Sequence, residues 1–186
     1  MKGIPDNYLD LVFADPPAQF DSDNAFNRKL KRNYDEWIQQ IMSEANRILK
    51  PGGHLITLTS LSKKEWVKSE LQKYSANIGE IKWHTPEYHP KGIYEYILIT
   101  NSNDDLTWEN IPLSTSQKEF EDCITQLPKM LVSKIILAYS NSGDIIYDMF
   151  SGSGVMLKVA KDHHREFIGT EINGDLVKRI RKELKT

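Results

Sequence analysis

Leu9-Asp10-Leu11-Val12-Phe13-Ala14 is a mostly apolar run that stops at Asp15-Pro16-Pro17. Neither proline can continue a central ladder, so Asp15 is expected at the carboxyl end of a strand. The prolines fix the backbone and leave the Pro16 carbonyl free to accept. A carboxylate beside a free carbonyl can hold an amino group by both of its hydrogens. Both bonds strengthen as that nitrogen becomes tetrahedral, and its lone pair is left aimed at an electrophile.

A second set lies far along the chain. Asp144 to Met149 reads as a strand, and Phe150-Ser151-Gly152-Ser153-Gly154 is a glycine-rich turn into a helix. Glycines let the backbone approach a ligand closely, and a helix amino end offers unpaired N–H groups. Glu171 closes the next strand, one βαβ step on, where a carboxylate can accept from two ribose hydroxyls. No Gly-Lys-Ser/Thr follows the turn, and the six-residue dinucleotide spacing is missing. A nucleoside cofactor without phosphates fits better. Taken singly, these are also the marks of a proline-terminated loop, a tight turn and a surface acid; their common rim is what points to a site.

The elements that must position these groups alternate. Tyr34, Trp37, Ile38, Ile41, Met42, Ala45, Ile48 and Leu49 form one helical stripe, ended at Lys50 by Pro51-Gly52-Gly53. A strand at His54–Thr59 follows, then a helix near Ser62–Tyr74 and strands at Ile78–His84 and Tyr94–Thr100. The last two are expected as an antiparallel edge pair. Residues 101–118 read as a loop or small insertion. Helices are expected at Pro128–Ser140, Val155–His163 and Asp175–Leu184, with strands at Asp144–Met149 and Glu166–Glu171. This alternation predicts a single α/β domain over residues 1–186, its mostly parallel sheet covered by helices on both faces.

Bulk properties narrow the classes. The 186 residues suit one core, and 39% hydrophobic with 27% charged residues is ordinary for a globular chain. No apolar run is long enough to span a membrane and the amino terminus has no signal region, so a cytoplasmic location is expected. The lone cysteine, Cys123, excludes an internal disulfide framework, and with five scattered histidines it gives no zinc cluster. The net charge of −2 argues against strong nucleic-acid binding by the chain alone. Basic residues do cluster locally, as Lys29, Lys31 and Arg32; Lys63, Lys64 and Lys68; and Lys178, Arg179, Arg181 and Lys182. The last two groups are read as solvated surface.

Together the segments resemble the amino-methyltransferases of DNA in the permuted, beta-type order, with an early Asp-Pro-Pro-aromatic motif and a late Phe-x-Gly-x-Gly motif. Ile4-Pro5-Asp6-Asn7, Ile48 to Gly53, Thr125-Gln126-Leu127-Pro128, Gly143 to Gly154 and Arg165 to Asn173 carry the same likeness. The resemblance implies a Rossmann-like fold, S-adenosylmethionine as cofactor, and transfer of its methyl group to the 6-amino group of adenine in double-stranded DNA. Asp15, Pro16, Pro17 and the residue at 18 would hold the amino group of a flipped base. Phe150, Gly152, Ser153 and Gly154 would line the cofactor's methionine side, and Glu171 would take the ribose. Asp148 and Gln126 would contribute further contacts. Asp15 points to adenine, since cytosine enzymes more often carry serine there.

Two departures temper the expected activity. Ala18 stands where the family has an aromatic ring that stacks on the base. Such stacking is worth roughly 1–3 kcal/mol, so about a ten- to hundredfold loss is expected. Phe20 is displaced by two positions. Relatives also begin with a strand ending in Gly-Asp, so one sheet strand and the acid that contacts the cofactor's adenine are expected to be missing here. Leu127 replaces the family's lysine. Trp83, His84, Tyr88, His89 and Tyr94, interleaved with Lys82 and Lys91, read either as a base-contacting loop or as a hairpin on the sheet edge. Residues 75–120 are thus the candidate target-recognition region, and a second subunit or separate domain is the alternative source of specificity. The competing function is a non-catalytic subunit of the same fold that binds nucleic acid or a partner.

Overall fold

In a computed structural model, the residues described are 3–17, 33–84, 94–108, 111 and 126–185, with backbone alone for His84 and Tyr94. The strands are β1 (Leu9–Ala14), β2 (Leu49–Ser60), β3 (Ile78–His84), β4 (Tyr94–Thr100), β5 (Asp105–Trp108), β6 (Ile145–Asp148) and β7 (Glu166–Gly169). The helices are α1 (Tyr34–Ile48), α2 (Lys64–Leu71), α3 (Lys129–Tyr139), α4 (Val155–Asp162) and α5 (Gly174–Leu184).

The strands form one sheet in the order β5-β3-β4-β2-β1-β6-β7. Only β4 runs against the rest, since β2–β4 and β3–β4 are antiparallel and the other pairs parallel. Strand β1 lies inside the sheet, with Val12 opposite both Leu55 of β2 and Tyr147 of β6. It is apolar because both its faces are covered. Leu11 and Phe13 face α3 and α4, alongside Ile56, Ile97 and Ile99. Val12 and Ala14 face α1 and α2, against Ile38, Met42, Ala45 and Val67. Each such aliphatic chain, fully buried, contributes roughly 1.5–3 kcal/mol before conformational entropy is counted.

Three expectations are corrected. Helix α1 ends at Ile48, not Lys50, and the chain is extended from Leu49 through Pro51-Gly52-Gly53. A register shift between Leu9 and Leu11 accommodates this stretch. Gly53 is needed there, because a Cβ would lie 2.8 Å from the Asp10 carbonyl oxygen. The β3–β4 pair is antiparallel as expected but lies inside the sheet. The edge belongs to β5, drawn from residues read as loop.

Candidate active site

β1 and β6 are adjacent and parallel, and connections leave them toward opposite ends of the sheet. Such a switch point opens a crevice beyond the strand carboxyl ends. Phe13 pairs with Asp148, and the Met149 N–H donates to the Phe13 carbonyl at 3.0 Å. The Asp15-Pro16 step and the glycine turn, far apart in the chain, therefore leave the sheet side by side.

Asp15 is half-buried at this rim. Burial first, and the Glu95 carboxylate second, push its pKa up to about 7. Asp148 is only 2% exposed, and burial raises it to about 7 as well. The Asp15 and Glu171 charges add to that rise, while the Phe150 N–H, donating to Asp148 at 3.2 Å, opposes it. Among the described residues no cation offsets either acid. No described donor reaches the Pro16 carbonyl.

Glu171 lies just past β7 and reaches back across the turn. One carboxylate oxygen accepts from the Gly152 N–H at 2.8 Å and the other from the Asn173 N–H at 2.7 Å. Each oxygen keeps a second lone pair, and the side chain is half-exposed. The turn is further fixed by Ser151 N–H to the Thr170 carbonyl (2.9 Å) and Thr170 N–H to the Asp148 carbonyl (3.0 Å).

The two glycines of the turn differ. Gly152 has φ +48°, and a Cβ there would project into open space. Gly154 has φ +76°, and a Cβ would lie 2.8 Å from Ile180 Cγ1 of α5. The first leaves room beside the acids; the second permits a helix to pack. Ser151 and Ser153 are buried. Phe150 meets the Trp37 ring edge-on, centroids 5.6 Å apart.

Of the sequence candidates, Asp15, Pro16, Asp148, Phe150, Gly152 and Glu171 come together at this rim. Pro17 is exposed beside it, and Ser153 and Gly154 face inward to packing. Gln126 is buried just ahead of α3. Leu127 is buried in the α3–α4 core, a place for an apolar chain rather than a lysine. Ala18, Phe20, Tyr88, His89, Lys91, Cys123, Thr125 and the Lys29–Arg32 group lie outside the described residues. Lys63, Lys64 and Lys68 are engaged by Asp35 and Glu80, which accords with the surface reading. Glu95, Tyr34 and Trp37, which sequence reasoning did not assign to the site, also reach this rim. A larger polar cavity of about 230 Å³ lies at the opposite ends of the strands, among Asn7, Lys50, Gly52 and Asn101, and no candidate residue lines it.

Among the described residues no helix is long and apolar enough to cross a membrane, and no metal-binding cluster occurs. A family model for DNA methylases (N6_N4_Mtase) matches residues 105–182. The chain is 26% identical to the DNA adenine methyltransferase YhdJ of Escherichia coli K12, over 96% of this chain and 76% of the relative. It is also 26% identical to the type II methyltransferase M.HpaI of Haemophilus parainfluenzae, over 99% of this chain and 70% of that protein. TTHA0409 of Thermus thermophilus, titled a DNA modification methylase, superposes with a TM-score of 0.74 at 19% identity, covering 97% and 88% of the two chains. The same protein has also been solved with S-adenosyl-L-methionine, at a TM-score of 0.66. The fold is that of the S-adenosylmethionine-dependent methyltransferases.

Proposed function

We propose that the chain is a site-specific DNA methyltransferase that methylates the 6-amino group of adenine, built in the permuted order with its catalytic motif present as Asp-Pro-Pro-Ala. The observation that carries this reading is the juxtaposition, at one switch point, of an amino-group acceptor pair and a glycine turn backed by Glu171. The chain's likeness to DNA methyltransferases over nearly its whole length supports the reaction class.

The site suits S-adenosylmethionine. Three carboxylates without a described cation favour a positively charged ligand, Gly152 leaves room beside them, and Glu171 keeps lone pairs for two hydroxyls. Gly152, Phe150 and Glu171 would hold it, with Asp148 beneath. When bound, it supplies a methyl group on a sulfonium, electrophilic enough for direct displacement.

The chain's own residues do the rest. The Asp15 carboxylate and the Pro16 carbonyl accept the two hydrogens of the amino group and orient its lone pair. Both bonds tighten as positive charge develops on nitrogen. As the carbon–nitrogen bond forms, the nitrogen must lose one proton, and Asp15, with its pKa near 7, is placed to take it before passing it to water. The half-buried rim limits competing water.

The test is incubation with mixed-sequence duplex DNA and methyl-tritiated cofactor, beside an Ala18→Tyr version, followed by digestion to nucleosides. Label in 6-methyladenine, about ten- to hundredfold stronger with tyrosine, is the expected result. Label in 4-methylcytosine overturns the choice of base. No label from either version overturns the reading of this chain as a self-sufficient catalyst and favours a non-catalytic subunit.

A further inference from the structure

A recess opens beside the reacting groups on the α1 side of the sheet. It encloses about 110 Å³ and begins at Pro16. Tyr34, in the first turn of α1, and Trp66, in α2, line it, together with Thr59 and Ser60 from the end of β2. The Lys63 ammonium stands 5.9 Å from the Tyr34 ring centroid and 5.1 Å from that of Trp66. Both rings therefore present themselves to one point, where Asp35 anchors the ammonium at 2.9 Å. The Asp15 charge is felt at the Tyr34 hydroxyl. Trp37 links Tyr34 (5.8 Å) to Phe150 (5.6 Å), so aromatic contacts run from the recess to the glycine turn.

We propose that this recess receives the unstacked target base, with Trp66 and Tyr34 supplying the aromatic surface that position 18 lacks. Unstacking strips a base of its π contacts, and an enzyme that captures it must return them. Alanine cannot do so. Two rings close to Pro16 can, and the rings already hold a cation against their faces. The hydroxyls of Thr59 and Ser60 and the Lys63 ammonium offer partners for ring nitrogens, while Pro16 and Asp15 lie at the end where the amino group must arrive. Lys63 exchanges the ring faces for the edge of the base. The identity of the base rests on the methyl-transfer reading; the geometry of the recess does not.

The experiment separates the two. Binding is measured by fluorescence anisotropy with a labelled duplex carrying one bulged adenine, and with the same duplex carrying an abasic bulge. Their affinity ratio isolates the base itself. The full chain is expected to prefer the bulged adenine about ten- to hundredfold. Trp66→Ala should erase most of that preference while leaving the abasic affinity unchanged, and Trp66→Phe should keep most of it. Should Trp66→Ala unfold, Trp66→Leu retains apolar bulk without a π face and carries the same expectation. An unsubstituted chain with no preference, or a Trp66→Ala or Trp66→Leu protein with the full preference, overturns the proposal. Methyl transfer assayed in parallel reports on the parent reading. A chain that discriminates through Trp66 without transferring methyl keeps the recess and loses the reaction. A chain that methylates adenine equally well without Trp66 keeps the reaction and loses the recess.

Discussion

Gly152 and Gly154 sit two residues apart in one turn, and alanine at each should fail in a different way. At 154 the added Cβ meets Ile180 at 2.8, 3.0 and 3.2 Å, on a backbone at φ +76°. The left-handed conformation costs a non-glycine residue about 1 kcal/mol or more, and overpacking about 1–3 kcal/mol. Gly154→Ala should therefore lose about 2–4 kcal/mol, a fall of about 5–15 °C in melting temperature for a chain of this size. At 152 only the Phe150 carbonyl, at 3.9 Å, comes within reach of a Cβ. Gly152→Ala should lose about 1 kcal/mol of stability from the backbone alone. Its methyl instead fills the space beside Asp148 and Glu171, so affinity for S-adenosylmethionine should fall about tenfold or more, a loss of about 1.4 kcal/mol. Urea denaturation and equilibrium dialysis of the cofactor measure the two losses separately. Ile180→Ala removes every atom that the new Cβ would touch, so the Gly154→Ala cost should shrink by at least about 1 kcal/mol in that background. Equal stability of the two alanine variants, or additivity with Ile180→Ala, would refute the division of labour between the glycines.

The acids predict how the protein responds to pH. With Asp15 and Asp148 raised to about 7, the folded chain binds more protons than the unfolded chain between about pH 4 and 7, so stability falls as pH rises through that window and levels off above it. Asp148→Asn, which can still accept from Phe150, should gain about 1–3 kcal/mol at pH 8 and nothing near pH 4; denaturation at the two pH values checks this. Methyl transfer should drop below about pH 7 as Asp15 takes its proton, and a rate flat from about pH 5.5 to 8 would count against its role as acceptor. Elsewhere, Glu80 is bound by Lys64 at 2.9 Å and lies near Lys68 at 3.5 Å. Glu80→Gln should cost about 1–3 kcal/mol in urea denaturation without changing cofactor affinity.

What the sequence made legible follows the strength of its patterns. β1 runs Leu9–Ala14 as read, because a buried strand bounded by two prolines has few alternatives. Helix α1 was visible in its stripe, but its end was not. Pro51-Gly52-Gly53 looks like a stop, yet a local register shift lets β1 and β2 keep pairing around it. β5 was invisible for a different reason. Three of its four residues are exposed, so it carries no apolar alternation and is held by backbone pairing to β3. Asp15, Asp148, Phe150, Gly152 and Glu171 could be found because their types are distinctive next to strand ends. Tyr34, Trp37 and Trp66 could not. In a helical stripe an aromatic residue reads as core, and only tertiary placement turns it toward a rim. Gly154 shows the converse, a motif residue whose small size serves packing against Ile180.

The interior position of β1 also has a temporal side. Asp10 accepts a hydrogen bond from the Ile145 N–H, a link between residues 135 apart in the chain. Strand β1 is synthesised before the other described strands, and its neighbour β6 is the last but one of them. At roughly 5–20 residues per second, that gap is on the order of ten seconds of synthesis. Through that interval β1 has one edge unpaired and one apolar face without its covering helices α3 and α4, a state open to wrong partners and to chaperones. Completion of the sheet, and with it of the rim where Asp15 meets the glycine turn, is therefore a late event, and the apparatus for chemistry is assembled in the same step that closes the fold.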